Sequence, residues 1–514
     1  MSVSAANPLV PPAPTPPPVA GQLDEFSDKL SPMLVKELRQ GLRAKTFVIL
    51  FLSLQGLLCV VLLSAIGASS DGDSGPSVSR IIFFFFSLAA LVAQPLRGVG
   101  ALHHEIKGNT IDLMVLTRLG AWRIVLGKWV AIVSQTGLLL MAIAPYLILR
   151  YFFGRMELFA ELLLLGLIFA GSAIFTAVTV GLSALPSIII RGLLPLGLAI
   201  YLAVGIMAMT FSHELGDLIR VCTLQDREAS WALVSSLAVG LYLGWMALAM
   251  GASMIAPMAE NHSTSRRLVA LGMVVLLGLI GLIADIPRDV MAAMLMIVGV
   301  PAVMISLTEP LQLLPPICRP FLRFGSLGKL AGRFLYPGWP SGVLFTGLLM
   351  AGMTVVFFLS PGVGGRGMGA GDNYVGTIKM MSALGTMLLP ALIMRVFIPK
   401  ARNPLGLYIM LGFLFGAVAI VLGLIEAETA NDDYVWFFSW IPPVQMNVMD
   451  HVRNTFFRNS PAGLGQPDFG RLLAVSMVTP LVYFVLLLFC AIRNFAPIRE
   501  VEQDAEGYTG NNPS

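Results

Sequence analysis

The sequence predicts an all-α polytopic membrane protein of about twelve transmembrane helices, with the N- and C-termini cytoplasmic. Three observations lead there. Of the 514 residues, 56% are hydrophobic and only 12% are charged, against roughly a quarter charged in soluble domains. Continuous apolar runs recur from one end to the other, each near the ~20 residues that cross a hydrocarbon core about 30 Å thick. Lysines and arginines gather in alternate connections between those runs, as they do in cytoplasmic loops. A β-barrel would show short alternating segments and not continuous runs, which excludes the other spanning solution.

Taken in order, residues 1–28 contain PPAPTPPPVAG, too rich in proline for a helix and too poor in apolar surface to pack, so they read as a disordered cytoplasmic tail. This tail lacks the charged start and short apolar core of a signal peptide, so the first apolar run is expected to stay as a membrane helix. Residues 29–45 include SPMLVKELRQGLRAK. Leu34, Leu38 and Leu42 repeat every four residues, and Lys36, Arg39 and Arg43 occupy the other face. With Ser31 as N-cap and Pro32 in the first turn, this is a basic amphipathic elbow helix that lies along the lipid headgroups.

Two sets of six spans follow. The first membrane region, 46–258, holds runs at 46–68, 81–100, 124–149, 161–182, 193–209 and 231–255. The second, 259–493, holds runs at 268–283, 290–307, 342–359, 375–398, 405–425 and 472–492, and a cytoplasmic tail, 494–514, closes the chain. With the N-terminus inside, the cytoplasmic side collects Lys107, Arg118, Arg123 and Lys128, then Arg266 and Arg267, then Arg319, Arg323, Lys329 and Arg333. Acids such as Asp71, Asp73, Asp226, Glu228, Asp432 and Asp433 fall on the other side. The long outer connection 427–470 carries Tyr434, Trp436, Phe437 and Trp440 ahead of Pro442 and Pro443. Interfacial aromatics and paired prolines suit either a re-entrant element or a plain surface anchor.

The chain offers little chemistry of its own. The phosphate-cradling pattern GxxxxGK[ST] is absent, and its nearest approaches, GSLGKL at 325–330 and VLGKW at 125–129, lack the first glycine in register and the hydroxyl for magnesium. The glycine-rich GGRGMGAG of 364–371 has no lysine where one is needed. No acid pair, acid with histidine, or serine with histidine or lysine falls at mid-membrane depth, and Arg97, Lys379 and Arg395 lie toward helix ends, where long side chains reach the interface. His103 and His104 are adjacent, which is the wrong spacing for two ligands on one helical face. The four cysteines stand singly and read as small apolar residues. No basic block with interleaved aromatics suggests nucleic acid. Gly240 with Gly244, and Gly412 with Gly416, are GxxxG pairs that allow close helix packing.

The loop 102–124 is the exception to this blandness. Asn109 or Thr110 can cap a helix, Asp112 falls in its first turn, and Gly120 offers a stop. Ile111, Val115 and Leu119 repeat every four residues. Such a short helix, lying below the headgroups, fits a groove on a cytoplasmic partner.

The order Glu105-Ile106-Lys107-Gly108-Asn109-Thr110-Ile111-Asp112-Leu113, then Leu116-Thr117, then Ile124-Val125-Leu126-Gly127-Lys128, resembles the first cytoplasmic loop of ABC-2 type ABC transporter permeases. The segment Pro32-x-x-Val35-Lys36-Glu37-Leu38-Arg39 is similar to that family's elbow helix. Together with the count of six spans, these two matches cover roughly the first half of the chain. Asp112 stands where Glu is commoner, and Thr117-Arg118-Leu119-Gly120 replaces the usual Thr-Pro-Leu-Ser-like turn. The second half exceeds the six-span core, and parity makes it a candidate parallel repeat in topology.

The resemblance implies a permease subunit in the cytoplasmic (cell inner) membrane that forms an export path, while a separate cytoplasmic ABC ATPase subunit binds ATP and Mg. No cofactor is expected in this chain, and none of its residues would be catalytic. The ATPase-docking set implied is Glu105, Gly108, Thr110, Ile111, Asp112, Val115, Leu116 and Leu119, with Lys36, Arg39 and Arg43 at the lipid surface. A homodimer and a second permease are both open as ways to complete the pore. Two rival readings remain: an ion-coupled secondary transporter, which needs buried ionisable residues, and a membrane-embedded lipid-modifying enzyme using the outer loop.

Overall fold

In lipid each backbone N–H and C=O must find a partner within the protein, so apolar runs of this length close their hydrogen bonds as helices. The computed structural model describes residues 32–68, 75–108, 120–151, 157–212, 215–257, 260–361, 370–429, 437–449 and 467–510. Among them no strand occurs, and twelve helical segments are long and apolar enough to cross a membrane. Each overlaps one of the twelve predicted runs.

The elbow is α1 (Pro32–Arg43), and α2 (Lys45–Ala68) is the first span. The second span begins as α3 (Gly75–Ser87), passes through a π turn at Leu88–Ala93 and a 3₁₀ turn at Arg97–Gly100, and ends in a short helix at His103–Lys107. The interruption has a local cause. Pro95 cannot donate an N–H, and its ring crowds the carbonyl one turn back. Side chains from the fourth span repair it: Ser172 Oγ donates to Ala90 O at 2.6 Å and Thr179 Oγ1 to Pro95 O at 2.7 Å. The third and fourth spans are α4 (Ala121–Tyr151) and α5 (Leu158–Leu182). The fifth opens with a second π turn, Ile189–Leu193, just before Pro195, and continues as α6 (Leu194–Phe211). After the surface helix α7 (Leu215–Cys222), Asp226 caps the sixth span, α8 (Arg227–Ile255), by accepting from Glu228 N at 3.1 Å.

The second region runs α9 (Ser263–Ala284), α10 (Arg288–Thr308), α11 (Pro315–Leu322), α12 (Gly325–Leu335), α13 (Trp339–Leu359), α14 (Ala370–Phe397), α15 (Pro404–Thr429), α16 (Pro467–Arg493) and α17 (Ala496–Gly510). The tail 494–514 is thus largely a packed helix. Ile498, Val501 and Ala505 share a face that meets Cys318 and Tyr336, while Arg333 reaches Glu502 at 3.0 Å and Lys329 pairs with Glu506. The glycine-lysine string at 325–330 is therefore part of a helix, with Lys329 paired to Glu506.

The two regions do not part cleanly at residue 258. Val239, Tyr242 and Met246 of α8 belong to the large apolar core of the second region, and Tyr242 donates to Val298 O at 3.1 Å. The opposite side of α8 packs on α5, so closely that a methyl group on Gly181 would lie 2.1 Å from Ala247 O. Gly240 and Gly244 face Ile174 and Ala177 at this crossing, as expected for a packing pair. Gly412 and Gly416 differ, because nothing lies within 4 Å of where their side chains would start.

In the connection 427–470, residues 442–449 form a helical turn set that starts at the paired prolines. It is inserted between spans. Gln445 accepts from Ser382 at 2.6 Å, and Asn447 donates to Ala419 O at 2.6 Å. Val444, Val448 and Met449 are buried, whereas Phe437 and Trp440 are exposed. Tyr434 and Trp436 lie outside the described residues.

Candidate functional site

The base of the loop 102–124 is built from three elements. Lys128 sits two turns into α4, and its ammonium lies 2.8 Å from Glu105 Oε1 and 3.1 Å from Glu37 Oε1. Glu105 belongs to the short helix that ends the second span, and Glu37 to the elbow. Lys128 is only 7% exposed, with both carboxylates largely covered. One cation thereby joins elbow, second span and third span in a low-dielectric setting, where such a pair is strong and its loss costly.

A second link runs beside it. Arg97 donates to Gln94 at 3.0 Å, to Gln135 of α4, and to Gly41 O of α1 at 3.4 Å, with Phe47 under the guanidinium. Its position in the 3₁₀ turn directs it inward, so it does not snorkel. Gly108 ends the short helix, its N–H donating to His104 O at 3.0 Å. Of the predicted docking residues, Glu105 and Gly108 are therefore at the loop's base. Thr110, Ile111, Asp112, Val115, Leu116 and Leu119 lie outside the described residues. On the elbow, Arg39 and Arg43 are exposed and so is Lys36, on the side away from Leu34.

The other constellation carries only a weak signal in the sequence. Arg266 and Arg267 open α9, where the sequence suggests ordinary loop cations, yet both are buried. Glu309, just past α10, accepts from Arg266 Nη2 at 2.7 Å and Arg267 Nη2 at 2.8 Å, and also bonds Ser263. Gly338, whose φ of 117° excludes most side chains, turns its N–H onto Glu309 Oε2 at 3.1 Å. Burial alone would raise the Glu309 carboxyl. The two guanidiniums, the Ser263 hydroxyl and the Gly338 N–H outweigh it and hold the group below the usual carboxylate value.

Beside this cluster is a cavity of about 650 Å³, lined by residues of both regions. Arg395 lines it too, donating to Leu307 O at 2.7 Å with its guanidinium 4.3 Å from the Trp339 ring. Arg395, which the sequence places at a helix end to reach the interface, is held inward by Leu307 and Trp339, whereas Lys379 is exposed. The twin arginine ahead of one span and the acid directly after the next were the only signals for this site. Both fall on the same end of a hairpin, but spacing alone does not tell a shared ion cluster from solvated charges. Among the described residues no group of three metal-ligating side chains occurs. No protein-family model, curated protein or solved structure matches this chain.

Proposed function

We propose that this chain is the membrane-spanning permease subunit of an ATP-binding cassette transporter, an exporter driven by a separate cytoplasmic ATPase that docks on the loop 102–124. The observation that carries this reading is the Glu37–Lys128–Glu105 triad. A loop that transmits force must be stiffly tied to what it moves. Here its base is tied to the elbow and to both flanking spans at once, so a push on the loop tilts these elements together. Glu105, engaged by Lys128, serves as an anchor. Asp112 supplies the polar contact, and Ile111, Val115, Leu116 and Leu119 supply the apolar face for the partner's groove. ATP and Mg belong to that partner.

The test is purification of the full chain from its native membrane in mild detergent. An ATP-hydrolysing subunit is expected to co-purify in fixed ratio. Recovery of the chain with no such subunit, under conditions that keep it folded, contradicts the reading.

A further inference from the structure

The cavity between the two regions has a composition that the loop-docking function does not use. Its apolar wall includes Leu185, Met250, Met254, Ile305 and Leu405, which continue an apolar cluster linking α5 and α8 to α15. Its charged residues are Arg266, Arg395 and Arg402 against Glu260 and Glu309. Both acids are already engaged, Glu309 by Arg266 and Arg267, and Glu260 by His262 at 3.0 Å. Arg395 and Arg402 face no carboxylate among the described residues. The Nε atoms of Arg395 and of the buried Arg266 also have no hydrogen-bond partner.

Arg395 is half-buried with its Nε unpartnered, a costly state for a guanidinium, and the exposed Arg402 lies beside it on the same cavity. The planar fork of arginine matches phosphate oxygens better than an ammonium does. The cavity lies where α9, α13 and α15 begin and α8, α10 and α14 end, at the level where a span gives way to headgroups. Its volume of about 650 Å³ falls within the ~300–1,000 Å³ of ordinary ligand pockets. We propose that this cavity binds an anionic lipid whose headgroup ends in a phosphate monoester, with that phosphate on Arg395 and Arg402 and the acyl chains along the wall of Met250, Met254 and Leu405. This binding is a property of the chain alone and stands without the ATPase.

Lipid retention by the purified full-length chain, read by native mass spectrometry, tests it with three probes: dioleoyl phosphatidic acid, dioleoyl phosphatidylcholine and inorganic phosphate. Phosphatidic acid is expected to bind at least ~10-fold more tightly than either of the others, and R395Q/R402Q to weaken it by at least ~10-fold. R402Q alone changes an exposed residue, is expected to keep the wild-type unfolding temperature, and is expected to weaken it by about 3-fold or more. Equal retention of the two lipids overturns the proposal, as does unchanged phosphatidic acid binding in R402Q and the double variant. Inorganic phosphate binding as tightly as the lipid also overturns it, since the ligand would then be a soluble anion with no use for the apolar wall.

Discussion

Lys128 Nζ lies 2.8 Å from Glu105 Oε1, and the same ammonium holds Glu37 of the elbow at 3.1 Å. Removing the lysine leaves two carboxylates facing each other with little water. K128M is therefore expected to lower stability by about 3–5 kcal/mol, the cost of breaking a buried pair. E37Q, which keeps the Lys128–Glu105 contact, is expected to cost only about 1 kcal/mol. Thermal unfolding in detergent measures both; equal effects would contradict Lys128 as the shared centre of the three groups.

Glu309 serves two adjacent guanidiniums, so E309A strands two buried cations and is expected to cost at least ~3–5 kcal/mol. The pH dependence has a defined sign. A carboxyl held below its ordinary value of 4.5 contributes stability above that pH and loses it as pH falls through the lowered value. The stability difference between wild type and E309A should thus be flat from pH 5 to 8 and shrink only in stronger acid. A difference that fades near neutrality contradicts the assignment.

The tight crossings give a third expectation. A Cβ on Gly342 would lie 2.0 Å from Ser306 O, and one on Gly181 2.1 Å from Ala247 O, in both cases rigid backbone. G342A and G181A are expected to cost about 1–3 kcal/mol. G412A, with open space around it, gains helix propensity of up to ~1 kcal/mol. Comparable unfolding midpoints for G342A and G412A would argue against the α10–α13 contact.

Cys318 is fully buried, and burial pushes its thiol up to about 11. At pH 8 only on the order of one thiol in a thousand is the reactive thiolate. In C59A/C222A/C490A a water-soluble maleimide is expected to leave the native protein unlabelled at pH 8 and to label it after SDS. Because the unfolded thiol ionises near 9, the contribution of Cys318 to stability is constant below that pH and falls as pH rises toward 11. Rapid native labelling at pH 8 contradicts the packing of α17 over α11.

The spans were legible because period and length in lipid leave a helix few alternatives: all twelve runs reappear, with ends displaced by a few residues. What pattern reading lacked was long-range pairing. In the sequence Lys128, Arg266 and Arg267 look alike as cytoplasmic-side cations, because their partners lie up to 91 residues away. Two features did carry local signals that went unused. Glu37 lies among the elbow's cations, facing inward. Ile498, Val501 and Ala505 are spaced for one helical face within the C-terminal tail. The GxxxG motif itself was ambiguous: Gly240 and Gly244 pack, whereas Gly412 and Gly416 meet open space, and only the neighbouring helix distinguishes them.

The most direct measurement of the central claim is the amount of ATPase that co-purifies with D112K/L116E, relative to wild type and to a control, R323Q, at an exposed site on another loop. Charge reversal plus an acid on the apolar face strikes two contacts of the proposed docking helix, and hot-spot losses above ~2 kcal/mol predict at least ~10-fold less ATPase. R323Q should keep the wild-type amount, and all three chains should unfold at the same temperature. Full retention of the ATPase by D112K/L116E would contradict docking on this loop.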